Sequence, residues 1–215
     1  MLKLKQRTPR QPSATHFEQV PLAAVKAAVA SRQPTHAVQF YESADALCRL
    51  VGRFIGDGLE RGAAAALMVT PDHAGRITAC LREAGLDVDA LTRDGALVIV
   101  DAQEMLDRFM VDGMPNPGAF RRAVGGLFRD LRRARGDRAI RAYGELVDVL
   151  WKERREAAAI RLETLWNALA ESDRFDLSCG YSMGNFYKGS MIEAVERQYT
   201  HGVPADGGAH VPTGP

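Results

Sequence analysis

The sequence predicts an α/β fold of three layers, α-β-α, with a mainly parallel central sheet. Two observations carry this. Short apolar runs alternate with amphipathic helical stretches through the whole middle of the chain, the pattern of strands joined by helical crossovers. One run, Leu97-Val98-Ile99-Val100, is continuously apolar, as expected where helices cover both faces of a strand. No internal repeat is visible.

The elements follow in order. Residues 1 to about 17 are polar, basic and contain two prolines, so they read as a flexible tail. Phe17 to Ala30 has an imperfect apolar face and reads as a short helix; together these residues, 1–34, precede the domain. The domain is expected over 35–200. His36 to Tyr41 is a strand, because Val, Phe and Tyr suit a pleated, buried surface. Ser43 is placed to cap a helix carrying Leu47, Leu50, Val51, Phe54, Ile55 and Leu59 at helical spacing and ending near Gly62. Ala64 to Val69 is the next strand. Thr70-Pro71-Asp72 turns into a helix that ends at Gly85. The run at Leu97 is followed by Asp101 and a helix carrying Met105, Leu106, Phe109 and Met110. Gly113 to Pro117 reads as a loop, and the helix after it carries Phe120, Val124, Leu127, Phe128 and Leu131. Ala139 to Tyr143 is a strand that breaks at Gly144, placing Glu145 directly after the break. Leu146 to Trp151 is again apolar. A helix over Glu156 to Ala170 faces inward with Ala159, Leu162, Trp166 and Leu169. Phe175 to Cys179 is a strand, Met191 to Tyr199 a helix, and 201–215, rich in Gly and Pro, a disordered tail.

Composition excludes several classes. Of 215 residues 46% are hydrophobic and 26% charged, ordinary for a globular domain, and the formal net charge of +1 creates no field for nucleic acid or membrane. No apolar run is long enough to span a bilayer. The basic N-terminus lacks the apolar stretch of a secretory signal. Cys48, Cys80 and Cys179 are odd in number and scattered, which fits reduced thiols in a cytoplasmic protein.

Motifs bear on three chemistries. A phosphate loop needs glycine amides, a lysine and a hydroxyl; the first strand leads instead into Tyr41-Glu42-Ser43-Ala44-Asp45, and no lysine occurs between Lys26 and Lys152. Gly180-Tyr181-Ser182-Met183-Gly184 matches a serine-hydrolase elbow, but only His201 and His210 follow it, in the tail; a plain turn is the simpler reading. His16, His36, His73, His201 and His210 show no ligand spacing, so no metal and no cofactor are expected, although His36 is set apart by opening a central strand. Arg129, Arg132 and Arg133 belong to a basic run read as a solvated face or as a docking surface for an acidic protein.

The strand ends remain. In an open α/β sheet ligands bind outside the carboxyl ends of the strands. Tyr41, Glu42, Thr70, Asp101, Tyr143, Glu145 and Tyr181, with Trp151 close behind, would meet on that rim as the lining of a small-molecule site. Glu145 is either a site residue or an acceptor for nearby N–H groups.

Five stretches resemble the MEDS family, the methanogen/methylotroph DcmR-type sensory domain: His36 to Tyr41, Phe54 to Gly62, Arg141 to Trp151, Leu162 to Asn167 and Leu177 to Tyr181. The order and spacing carry the resemblance, which covers about Thr35 to Tyr187; Ala63 departs from the family, where an acidic residue often stands. The resemblance implies a RecA/KaiC-like core with a degenerate phosphate loop, and a role in sensing small organic molecules beside histidine kinases, response regulators or transcription regulators. Function is therefore expected to be non-catalytic sensing in bacterial signalling, reported to a separate partner protein, with no direct nucleic acid or membrane contact and compatible with a homodimer. Gly113 to Pro117 and the region after Tyr181 are the parts expected to move. A nucleotide-binding regulator without hydrolysis and a ligand-free adaptor are the alternatives, with a Ser182 hydrolase behind them.

Overall fold

The computed structural model describes residues 36–41, 43–136 and 138–182, and the backbone of a strand at 201–204. The expected helices at 17–30 and 191–199, and Glu42, lie outside the described residues. The elements are β1 (His36–Tyr41), α1 (Ala44–Glu60), β2 (Ala64–Val69), α2 (Pro71–Glu83), α3 (Val88–Arg93), β3 (Leu97–Asp101), α4 (Ala102–Asp107), β4 (Met110–Val111), β5 (Met114–Pro115), α5 (Pro117–Arg135), β6 (Ile140–Gly144), α6 (Leu146–Lys152), α7 (Glu156–Ser172), β7 (Asp176–Ser182) and β8 (His201–Pro204). Six strands form one sheet in the order β3-β2-β6-β7-β1-β8, and every neighbouring pair is parallel.

The pleat sorts side chains between two cores. Ala65, Leu67, Val69, Tyr41 and Tyr143 pack with Leu47, Val51 and Ile55 of α1 and Ile77 and Leu81 of α2. Ala64, Ala66, Met68, Ala142, Cys179 and Tyr181 pack on the other face with α4, α5, α6 and α7. That face has an aromatic heart. Trp166, 1% exposed, meets Phe120 edge-on at 5.1 Å between centroids, and Phe175 lies 4.5 Å from Phe128.

Local chemistry sets the helix starts. The Ser43 hydroxyl accepts from the Ala46 N–H, and Asn116 and Asp101 cap α5 and α4 in the same way. Pro71 and Pro117 occupy first-turn positions, where no N–H is needed.

Several expectations are corrected. The helix after Asp101 stops at Asp107, and the expected loop at Gly113 is part of a hairpin: Asp112 and Gly113 take φ of 49° and 79° between β4 and β5, the left-handed pair a tight two-residue turn requires. Arg155 Nη2 also donates to the Gly113 carbonyl at 2.9 Å. The last internal strand runs to Ser182, so Gly180 to Ser182 is extended ladder and not the plain turn expected, with Tyr41 paired to Ser182. Residues 201–204 are not tail but an edge strand on β1, where a terminal Pro is tolerated. Finally, α3 has no counterpart in the sequence reading.

Trp166→Ala is expected to cost about 3–5 kcal/mol, seen as a lower urea midpoint with unchanged slope.

Candidate functional site

Parallel strands bring their carboxyl ends to one rim, and a polar cluster is buried there. Glu145 follows β6 and is 1% exposed. Its N–H extends the ladder by donating to the Met68 carbonyl, which aims the side chain at the start of α2. Oε2 accepts from the Thr70 N–H at 3.0 Å and the Thr70 hydroxyl at 3.1 Å. Oε1 accepts from His73 Nδ1 at 2.5 Å and the Tyr143 hydroxyl at 3.2 Å. Four donors thus fill the four lone-pair sites of one carboxylate. Thr70 makes no side-chain cap on α2 because its hydroxyl is spent on Glu145.

The bond to Glu145 raises the His73 pKa above its ordinary value, against desolvation and the nearby Lys152 charge. The buried contact with Glu145 thus favours the protonated form of His73. Tyr143 reaches Glu145 only because residue 180 is glycine: a Cβ there would overlap the Tyr143 hydroxyl. Burial, reinforced by Glu145, pushes the Tyr143 pKa far up, so it acts as a donor.

A second carboxylate sits one helical turn on. Asp148, also 1% exposed, accepts from the Tyr41 hydroxyl at 3.0 Å, from the Ser182 N–H at 2.9 Å, and pairs with Lys152 Nζ at 2.8 Å. Tyr41 meets the His73 ring edge-on at 6.0 Å. The rim therefore joins β1, β2, β6 and β7 through Glu145 and Asp148.

On the opposite face, His36 Nδ1 lies 2.7 Å from Asn167 Oδ1, and its Nε2 lies 3.4 Å from both Cys179 Sγ and Glu163 Oε2. The Tyr181 hydroxyl donates to Glu163 Oε1 at 2.6 Å. Burial pulls the His36 pKa down to about 4, against the raising effect of Asn167, so its contact with Glu163 is not an ion pair at neutral pH.

Residues 35–197 match the family model described as MEDS, the MEthanogen/methylotroph, DcmR Sensory domain. The chain belongs to this family. No curated protein sequence matches the MEDS chain. Its fold is shared with an uncharacterized protein from Pyrococcus horikoshii in complex with an unknown peptide, at TM-score 0.60 and 12% identity over 81% of this chain and 78% of that one. It is shared too with a KaiC-like protein from the hyperthermophilic archaeon P. horikoshii OT3, at TM-score 0.56 and 16% identity over 79% and 71%. The RecA/KaiC-like core expected of a MEDS domain is therefore present.

Of the residues expected at the rim, Tyr41, Thr70, Tyr143 and Glu145 are brought together. Asp101 is not: it ends the edge strand β3 and caps α4 through the Glu104 N–H. Trp151 is buried in the core on the α6 side, and Tyr181 points to that same face and binds Glu163. A strand-end position fixes the rim but not the face, and the pleat turns Tyr181 to the other side. His73, Asp148 and Lys152 were missed. Their signals were available: His73 opens a helix directly after a strand end, and Asp148 is the acid inside the apolar run Leu146 to Trp151. Arg132 pairs with Asp173 and donates to the Arg174 carbonyl, and Arg133 pairs with Asp130. Among the described residues no helix is long and apolar enough to cross a membrane.

Because the folded pKa of His73 is raised, its pairing contributes full stability below the unfolded value near 6.5 and loses it as pH rises through the folded value. His73→Gln should therefore be most destabilised relative to the native chain at pH 6, with the gap closing toward pH 9 in urea unfolding series. Gly180→Ala should displace the Tyr143 ring, costing about 1–3 kcal/mol, whereas the same change made in a Tyr143→Ala background should cost markedly less, a non-additivity read from a double-mutant cycle.

Proposed function

We propose that this MEDS domain is a non-catalytic sensor of a small organic molecule, bound at the strand-end rim and reported to a separate signalling protein of the bacterial cytoplasm: a histidine kinase, response regulator or transcription regulator. The observation that carries this reading is the chemistry of the rim. Two buried carboxylates, Glu145 and Asp148, occupy the place where an open α/β sheet takes its ligand. The turn after β1, Tyr41 to Asp45, carries neither the lysine nor the glycine amides that cradle a phosphate, and the first turn of α1 is already capped by Ser43. This disfavours a nucleotide.

The same geometry argues against reaction. Glu145 has four donors on its two oxygens, so it is poorly placed to take a proton from a substrate. Ser182 lies in ladder, and its N–H is held by Asp148. What the rim offers is recognition: aromatic edges from Tyr41 and His73, and the half-exposed ammonium of Lys152. That set suits a small neutral or polar molecule held by a few directed bonds. A ligand shifts such a domain only through unequal affinity for two arrangements, and the rim joins four strands whose relative placement could differ between them.

Thermal unfolding against a panel of small alcohols, amines, carboxylic acids and esters tests this. A ligand at a hundred times its Kd should raise Tm by roughly 5–10 °C, and Tyr41→Phe and Lys152→Ala should remove the shift. Stabilisation by ATP or ADP alone, or turnover of ATP or an ester by the purified chain, would end this reading.

A further inference from the structure

Among the described residues, His36, Glu163 and Cys179 form the one group of three metal-ligating side chains whose donor atoms converge, all within 4.8 Å of one another and all buried. The geometry points to a mononuclear Zn2+ site, or one for a like divalent transition ion, built from His36 Nε2, Cys179 Sγ and Glu163 Oε2 on the α7 face of the sheet. It is separate from the rim and does not rest on the sensory reading.

Distances fit first. Zinc binds nitrogen and oxygen at about 2.0–2.1 Å and thiolate sulfur at about 2.3 Å; tetrahedral angles then separate N from S by about 3.6 Å and N from O by about 3.3 Å. The observed separations are 3.4 Å and 3.4 Å. Cys179 Sγ and Glu163 Oε2 lie within 4.8 Å of each other, so all three donors are near enough for one ion to draw them into its shell.

The supporting bonds orient each ligand. Asn167 Oδ1 accepts from His36 Nδ1–H, which leaves the Nε2 lone pair directed at the cluster. The Tyr181 hydroxyl holds Glu163 Oε1, turning Oε2 toward His36. Metal-binding histidines and carboxylates are positioned by such outer bonds. His36 and Cys179 sit on the same face of adjacent paired strands, two positions apart in register, so the sheet itself presets their spacing.

Charge also balances. Binding displaces the Cys179 thiol proton to solvent and forms an S–Zn bond; thiolate and carboxylate then neutralise the dication, leaving a buried site with no net charge. Three protein ligands leave the fourth tetrahedral position for water or a small exogenous donor.

The test uses the full chain, stripped with a chelator and titrated with Co2+ and then Zn2+. One Co2+ per chain should give a thiolate-to-cobalt charge-transfer band and the intense visible bands of a tetrahedral ion, and Zn2+ should displace it. The signal should persist in Cys48→Ala/Cys80→Ala and vanish in Cys179→Ser. Zn2+ affinity should fall at least tenfold in Glu163→Gln and His36→Asn, and about 10–100-fold in Asn167→Ala. No cobalt band in the native chain at equimolar ion, or a band lost with Cys48 and Cys80, would overturn the assignment, and neither result depends on the Cys179 variant folding.

Discussion

Four donors, three from the β2–α2 junction and one from β6, converge on the Glu145 carboxylate, and the bonds knit the ends of β2 and β6 to the start of α2. Burying such a charge is tolerable only with a cation and hydrogen bonds around it. His73 supplies the first and Thr70 and Tyr143 the second. Each donor would itself be a costly orphan at the covered end of a parallel sheet. The arrangement is therefore mutual: the carboxylate needs the turn after β2, and that turn needs the carboxylate. Asp148 repeats the device between β1, β7 and α6, with Lys152 as its cation.

The two faces of the sheet use polarity differently. On the α1 and α2 side the buried polar groups gather at the strand ends. On the α7 side they sit under a helix, beside the Trp166 and Phe128 cluster. The first arrangement ties the ends of four strands together. The second is an enclosed set of soft and hard donors, which in a hydrophobic surround interact strongly with any cation they hold.

Much of the architecture was legible because it is periodic. The runs at 64–69 and 97–100, and the inward stripe Ala159, Leu162, Trp166 and Leu169, repeat at strand and helix spacing, and all four stripe residues are buried. What escaped has no period. The six-residue α3 is too short to show one, and β8 contains Gly and Pro, which composition reads as tail. Asp112-Gly113 carried a hairpin signal that the surrounding prolines masked. Glu145 was visible because it interrupts an apolar stretch at a strand end. Its partner His73 is 72 residues away in sequence, and only the parallel order of β2 beside β6 makes them neighbours. Glu163 shows the same limit: it falls on the inward stripe of α7, one residue beyond Leu162, yet nothing in one helix reveals the His36 and Cys179 it faces.

Residues 179 to 182 of β7 serve both faces in alternation: Cys179 and Tyr181 turn toward α7, while Gly180 makes room for Tyr143 and the Ser182 N–H meets Asp148. A strand has no half-step, since sliding by one residue exchanges its sides entirely. This short segment therefore cannot satisfy one side while failing the other. It works as a single indivisible key cut on both edges, so the two halves of the domain stand or fall on the same alignment.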